Sequence, residues 1–204
     1  TKPWLWAKEV GHLWRTTGDI GSVFNGMKNH GTWSSNGVMT IVDLQVGLRE
    51  YTGSGHWNDP DMLEVGNGMS YQEDRAHFSL WCMLAAPLMA GNDLRKMNKT
   101  TLDILTNSDA IAIDQDKLGI AGLRYSNTDS LQVWVKPLEN DEWAVCFVNR
   151  SAKEKKITFD WSKEVIKDRL TGRQLGGTGS QYKLFDIWKK SIVGNTAEVL
   201  SKAI

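Results

Sequence analysis

Two stretches decide how this chain reads: WRTTGDI at residues 14–20 and GHWNDPDML at residues 55–63. Each sets a tryptophan beside a short polar loop. Between them they carry Asp19, Asp59 and Asp61, with Arg15 ahead of the first aspartate and Asn58 ahead of the second pair. One Asp in a turn is ordinary, because Asp and Pro both favour turns. Three in two Gly-bounded loops, spaced like consecutive units of a repeating fold, suggest a site.

Working outward, the first 116 residues read as helices broken by short loops. Leu5, Ala7, Val10, Leu13 and Trp14 suit a helix running into the first loop. Val38, Ile41, Val42, Gln45 and Leu48 follow helical spacing, with Ser34, Ser35 or Asn36 available as a cap. SYQEDRAHFSLWCMLAAP has a capping box at Ser70 and Glu73, an apolar end, and Pro87 to stop it. PLMAG reads as a short buried strand, and LRKMNKTTLDILTN as a further helix. Turn-plus-helix units recur at roughly 35 to 45 residues, the size of a βα unit in a (β/α) barrel. WRTTGDI, HWNDPDM and PLMAGND are then successive strand ends, and in such barrels the C-terminal strand ends carry the chemistry.

After residue 117 the period changes to two. LQVWVKPL, EWAVCFVN and KKITFDW alternate and are bounded by turn residues, and YKLFDIW and TAEVL offer further strands. The boundary falls in DQDKLGIAG, giving domains at 1–116 and 117–204.

The bulk numbers narrow the function. With 41% apolar residues the chain can bury a sizeable core, and 24 basic residues balance 24 acidic ones. That leaves no electrostatic footprint for nucleic acid or an anionic membrane and favours a neutral substrate. Ten tryptophans against five phenylalanines supply flat indole faces, useful on sugars and equally useful in a core. No apolar run is long enough for a membrane span. Cys82 and Cys146 fall in different domains, so a disulfide framework is not expected.

Paired carboxylates suit glycosidic bond cleavage, in which one group protonates the leaving oxygen while the other attacks carbon or activates water. Asp19 is the acid/base candidate, given freedom by Gly18, with Arg15 placed to bind a sugar hydroxyl or to tune the acid. The bland alternative is an Asp that caps the next segment with Arg15 as its ion-pair partner. Asp61 is assigned to the pocket floor, with Asn58 and Asp59 holding the loop. A cation on Asp59 and Asp61 is the rival, but Leu63 occupies the next ligand position of the calcium-loop pattern, so no metal is assigned. His12, His30, His56 and His77 lack paired ligand spacing and read as structural or solvated. GNGMS at 66–70 reads as a flexible rim loop.

With WRTTGDI, GHWNDPDMLEVGNGMS, APLMAGNDLR and IAIDQDKLG in this order, the sequence resembles the α-galactosidase (melibiase) family, glycoside hydrolase family 27, over most of its first 122 residues. The later β-rich part resembles that family's C-terminal β-sandwich more loosely. The resemblance implies α/β plus all-β architecture: the C-terminal portion of a (β/α)8 TIM barrel followed by an antiparallel β-sandwich domain. It implies a retaining hydrolase of terminal α-galactosides that uses no cofactor. Asp19 matches the general acid/base, Arg15 an arginine near the sugar 2-hydroxyl, and Asp61 and Met62 the pocket wall. Trp14, Asn58 and Asp59 support the two loops.

The family's nucleophile lies in a KYD-type motif on an earlier strand, and no KYD occurs here. The expectation is therefore an internal fragment, roughly three βα units and a β domain short of its last strand. Alone it should be inactive, and should pair with the missing barrel half or self-associate through open strand edges. Related specificities, α-N-acetylgalactosaminide or β-L-arabinopyranoside, and a non-catalytic sugar-binding module stay open as alternatives. The family resemblance leans towards a secreted, periplasmic or vesicular location.

Overall fold

Residues 13–15 are extended rather than helical. In the computed structural model, which describes residues 1–204, the first residues form two single 3-10 turns, Pro3–Leu5 and Ala7–Glu9, followed by strand β1, Leu13–Arg15. The helix expected here is absent because its apolar side chains have no core to face: Leu5, Trp6 and Val10 are exposed and only Ala7 of the turns is buried. A short helix without a packed face is not stable.

Two units emerge from the contacts, Thr1–Leu123 and Arg124–Ile204. In the first, β1 lies parallel to β4, Trp57–Asp59, with Leu13 opposite Trp57, Trp14 opposite Asn58 and Arg15 opposite Asp59. Parallel neighbours need a crossover. It is supplied by helix α1, Val38–Gln45, which buries Val38, Met39, Ile41, Val42 and Gln45. Before α1 comes an antiparallel hairpin that the sequence does not announce, β2 at Met27–Asn29 and β3 at Ser34–Asn36. Because β3 takes up all three expected cap residues, Gly37 stands at the N-cap instead. A Cβ at Gly37 would lie 2.8 Å from the Gly26 carbonyl oxygen and 2.9 Å from that of Val23. Only glycine lets these backbones approach so closely.

Helix α2, Tyr71–Met83, carries the expected capping box: Ser70 Oγ accepts from the Glu73 N–H and the Glu73 carboxylate accepts from the Ser70 N–H. It stops at Met83, with Ala85 in the left-handed region at φ 51°, before Pro87 is reached. PLMAG contributes one parallel bridge, Ala90 to Leu63, instead of a buried strand, and Met89 is exposed. The long helix expected over 94–107 is broken by Asn caps into a 3-10 turn at Leu94–Lys96 and α3, Lys99–Leu105; α4, Ser108–Asp114, follows. Asn98 caps α3 and Asn107 caps α4, each accepting backbone N–H groups, and both helices pack on α2. No helix is long and apolar enough to cross a membrane.

The second unit is antiparallel. Strands β5 (Leu123–Thr128), β6 (Leu131–Pro137) and β7 (Trp143–Asn149) form one sheet. β8 (Lys156–Phe159) pairs with β13 (Leu200–Ala203), β9 (Val165–Lys167) with β10 (Gln174–Gly176), and β11 (Lys183–Asp186) with β12 (Ser191–Asn195). Edge-to-face contacts among Phe147, Phe159 and Trp161 fill its core. β6 is buried along both faces rather than alternating, so its polar residues need partners, and Gln132 accepts from the Trp134 indole at 2.9 Å. Cys82 and Cys146 are not joined in a disulfide.

Candidate active site

The two threonines of WRTTGDI join the ends of β1 and β4. Thr16 N–H donates to the Asp59 carbonyl at 2.9 Å, its hydroxyl reaches the same carbonyl and Gln45 Oε1, and the Thr17 hydroxyl donates to the Pro60 carbonyl at 2.9 Å. Beneath them Trp14 Nε1 donates to Asn58 Oδ1 at 2.7 Å, and Asn58 Nδ2 donates to the Leu48 carbonyl. Trp14, Asn58 and Asp59 are all buried. Burial pushes the Asp59 carboxyl above its usual range, against the pull of the Asp61 N–H and the Arg15 charge.

Asp61 is held from every side. Its φ is 103°, a conformation that costs a non-glycine residue about 1–3 kcal/mol unless its surroundings impose it. Here they do: Oδ2 accepts from Arg15 Nη2 and from the Ile20 N–H, both at 2.8 Å, and Oδ1 accepts from the Met62 N–H at 2.8 Å. Its own N–H donates to Asp59 Oδ1, and its carbonyl accepts from Trp81 Nε1. The Asp59 and Asp61 carboxylates, weighed above as cation ligands, thus spend oxygens on backbone N–H groups.

Asp19 is the opposite case. Its side chain is 71% exposed, and its carboxylate meets Arg15 Nη2 at a long 3.4 Å. Only its backbone is fixed, the Asp19 carbonyl accepting from the Asn36 N–H at 2.8 Å. Gly18 is not in the left-handed region, so its expected conformational freedom is not what the loop uses; a Cβ there would come within 3.3 Å of Asn36 Nδ2.

Arg15, Asp19, Asp61 and Met62 line one open cavity of about 600 Å³. Trp14, Asn58 and Asp59 lie outside its lining and hold the loops that shape it. Sequence reading missed other parts of the lining: Lys28, His30 and Trp33 from the β2–β3 hairpin, and Glu64 and Asn67 after the DPDML loop. GNGMS is tied down rather than open, because the Gly66 N–H donates to Asp74 Oδ2 at 3.0 Å and Asn67 Nδ2 to Glu64 Oε2 at 2.6 Å. The Glu64 N–H donates to Nε2 of His77, which is wholly buried; burial lowers His77 to about 3 and keeps it a neutral acceptor. Burial likewise raises Asp74 to about 6. A third carboxylate, placed directly after the two of the DPDML loop, was the available signal for Glu64. The hairpin had none, since MKN and SSN have little strand propensity.

Chemically, the cavity offers an open carboxyl that can exchange a proton, a fixed carboxylate that can accept hydroxyl hydrogen bonds, and a guanidinium between them. Residues 4–116 match the family model for alpha galactosidase A, and residues 128–203 match that for the alpha galactosidase C-terminal beta sandwich domain. Alpha-galactosidase A of Cellvibrio japonicus is 50% identical over 200 residues, 98% of this chain and 49% of the relative. The structure of alpha-galactosidase I from Mortierella vinacea superposes with a TM-score of 0.84 at 28% identity, covering 99% of this chain and 52% of that one. The alpha-galactosidase of Saccharomyces cerevisiae solved with raffinose aligns with a TM-score of 0.78 at 25% identity, over 91% of this chain and 45% of that one. This chain spans about half the length of the curated relatives it matches. Its fold is a portion of a (β/α)8 barrel followed by an antiparallel β-sandwich domain. With both parts matched, the chain belongs to the alpha-galactosidase (melibiase) family of O-glycosyl hydrolases, glycoside hydrolase family 27.

Proposed function

We propose that these residues form one side of the active site of a retaining glycoside hydrolase that removes terminal α-linked galactose from oligosaccharides or glycoconjugates. The observation that carries the reading is the Arg15 guanidinium standing between a locked carboxylate, Asp61, and an open one, Asp19, in a single cavity. Asp19 is the general acid/base: it protonates the leaving oxygen, then takes a proton from the attacking water. Its exposure fits a group that must meet substrate and solvent in turn. Arg15 and Asp61 hold sugar hydroxyls, Met62 forms a wall, and Trp14, Asn58 and Asp59 keep the two loops in register. Residues 1–116 serve as the catalytic portion and 117–204 as the β domain.

A retaining mechanism needs a nucleophilic carboxylate on the other face of the sugar. In this reading it comes from residues outside these 204. Exposed Leu5, Trp6, Val10 and Leu13, around β1, then meet the rest of the barrel, or a second copy where that is lacking. The test is to assay the 204-residue polypeptide alone and fused behind the N-terminal half of the Cellvibrio japonicus relative. Raffinose, an α-N-acetylgalactosaminide and a β-L-arabinopyranoside serve as substrates. The expected result is no hydrolysis by the polypeptide alone, and release of α-galactose by the fusion that Asp19→Asn abolishes. Full turnover by the pure 204-residue polypeptide, or by the Asp19→Asn fusion, would overturn it.

A further inference from the structure

The β2–β3 hairpin forms a wall of the cavity that the proposed roles leave without a task. At its tip His30 and Trp33 stack almost face to face, ring centroids 4.0 Å apart and planes inclined by 12°. The turn that presents them is tied internally: the His30 N–H donates to the Trp33 carbonyl at 2.9 Å and the Gly31 N–H to Asn29 Oδ1 at 2.7 Å. Behind the pair, His30 Nε2 lies 2.9 Å from Ser35 Oγ, which holds the imidazole plane. With one face against His30, Trp33 is still 51% exposed, and both rings border the cavity that holds Asp19. The fixed turn thus presents a flat, half-exposed indole at the border of the cavity, a surface suited to stacking on an apolar ring face.

The hairpin is also in register with the acid. The Asn36 N–H donates to the Asp19 carbonyl, the Gly21 N–H donates to the Asn36 carbonyl, both at 2.8 Å, and Ile20 bridges Asn36. Strand β3, which follows directly on Trp33, is therefore tied to the Asp19 loop. A general acid protonates the oxygen of the departing group, so an element registered to the acid lies on the leaving-group side of the bond.

We propose that Trp33, backed by His30, is the platform for the second sugar, the ring on the leaving-group side of the scissile bond. This rests on the galactosidase reading above. The ligand class is a pyranose with an apolar C–H face, as in an α-1,6-linked galactosyl hexose. Trp33 is a specificity residue: it acts on substrates that have a second ring and does not touch the galactosyl group.

The test uses the full-length protein carrying these residues and two substrates, a galactosyl-α-1,6-glucose disaccharide and α-galactosyl fluoride, whose leaving group has no ring. For Trp33→Ala the expected result is a loss of about 5- to 10-fold in kcat/KM on the disaccharide, mostly as a rise in KM, against less than about twofold on the fluoride. Trp33→Phe should recover most of the loss, because a flat ring remains, and guards against a merely misfolded alanine variant. Equal losses on both substrates would show that the hairpin only positions the Asp19 loop, and no loss on the disaccharide would show that the indole is idle; either overturns the proposal. If the unaltered protein fails to cleave the fluoride, the galactosidase reading itself falls and takes this one with it. Cleavage of the fluoride with an unaffected Trp33→Ala variant rejects the platform alone.

Discussion

The loops after β1 and β4 hold one aspartate each at the cavity and treat them in opposite ways. Asp61 is 13% exposed in its side chain, takes three hydrogen bonds on its carboxylate, and sits in a backbone conformation that those bonds enforce. Asp19 is 71% exposed, with a single long contact to the same arginine. An oxygen already engaged in strong hydrogen bonds is held in place for recognition, whereas a proton-transfer group must be reachable by substrate and water. The contrast separates a locked carboxylate from an open one, the difference on which the proposed roles rest, although the two residues look alike in the sequence.

The sharpest way to break this contrast is to remove each acid in turn. In the active fusion, Asp19→Asn should lower kcat by about 10²- to 10⁴-fold with the melting temperature unchanged, because general acid–base catalysis is lost while no buried bond is broken. A large drop in melting temperature would move Asp19 into the structural class. Asp61→Ala should do the reverse in stability. It strands the Ile20 and Met62 N–H groups and leaves Arg15 without its short partner, a cost of about 2–3 kcal/mol by denaturant unfolding. Unfolding no easier than in the unaltered chain would mean that the loop is held without its carboxylate.

A smaller effect comes from the buried groups behind the Asp61 loop. His77 titrates at about 3 in the fold against 6.5 for an ordinary histidine, so the unfolded chain takes up the extra proton between those values. Its contribution falls as pH drops through that window, by about 2 kcal/mol at pH 5. Asp74 runs the other way: at about 6 in the fold against 3.8, the folded chain holds the extra proton, and stability rises as pH falls from 6 to 3.8. His77→Gln should therefore make the chain less acid-labile and Asp74→Asn more so, read from melting temperatures across pH 4–7. Identical pH profiles for the two variants would show that neither group titrates differently on folding. Smallest is Trp14→Phe, which leaves Asn58 Oδ1 without its indole donor at a cost of about 1–2 kcal/mol, checked by denaturant unfolding. A neutral result would mean that β1 and β4 hold both loops without that bond.

Legibility followed the range of the interaction. The Ser70–Glu73 capping box spans three residues and was readable from them. The helix expected before Trp14 failed because amphipathic spacing is meaningful only when a core meets it, and residues 3–10 have almost none. The single strand expected at PLMAG became one bridge, and the cap expected at Ser34, Ser35 or Asn36 passed to Gly37, because pairing of 34–36 with 27–29 claims those residues first. That same hairpin builds the cavity wall of His30 and Trp33, so missing it meant missing the wall.

What the sequence determined by itself is the local grammar: short strand ends carrying Trp14–Arg15 and Trp57–Asp59, polar loops after them, a helix between them, the capped helix α2 beyond them, and a period-two region after the break. It also placed Arg15, Asp19 and Asp61 in one neighbourhood, through the spacing of parallel strand ends. Only the tertiary structure decided which acid is locked and which is open. Asp61 is fixed by Arg15, Ile20 and Trp81, partners 46, 41 and 20 residues away in the chain. Hydrogen bonds over such separations exist only after the loops have closed on a packed core, so no local pattern records them.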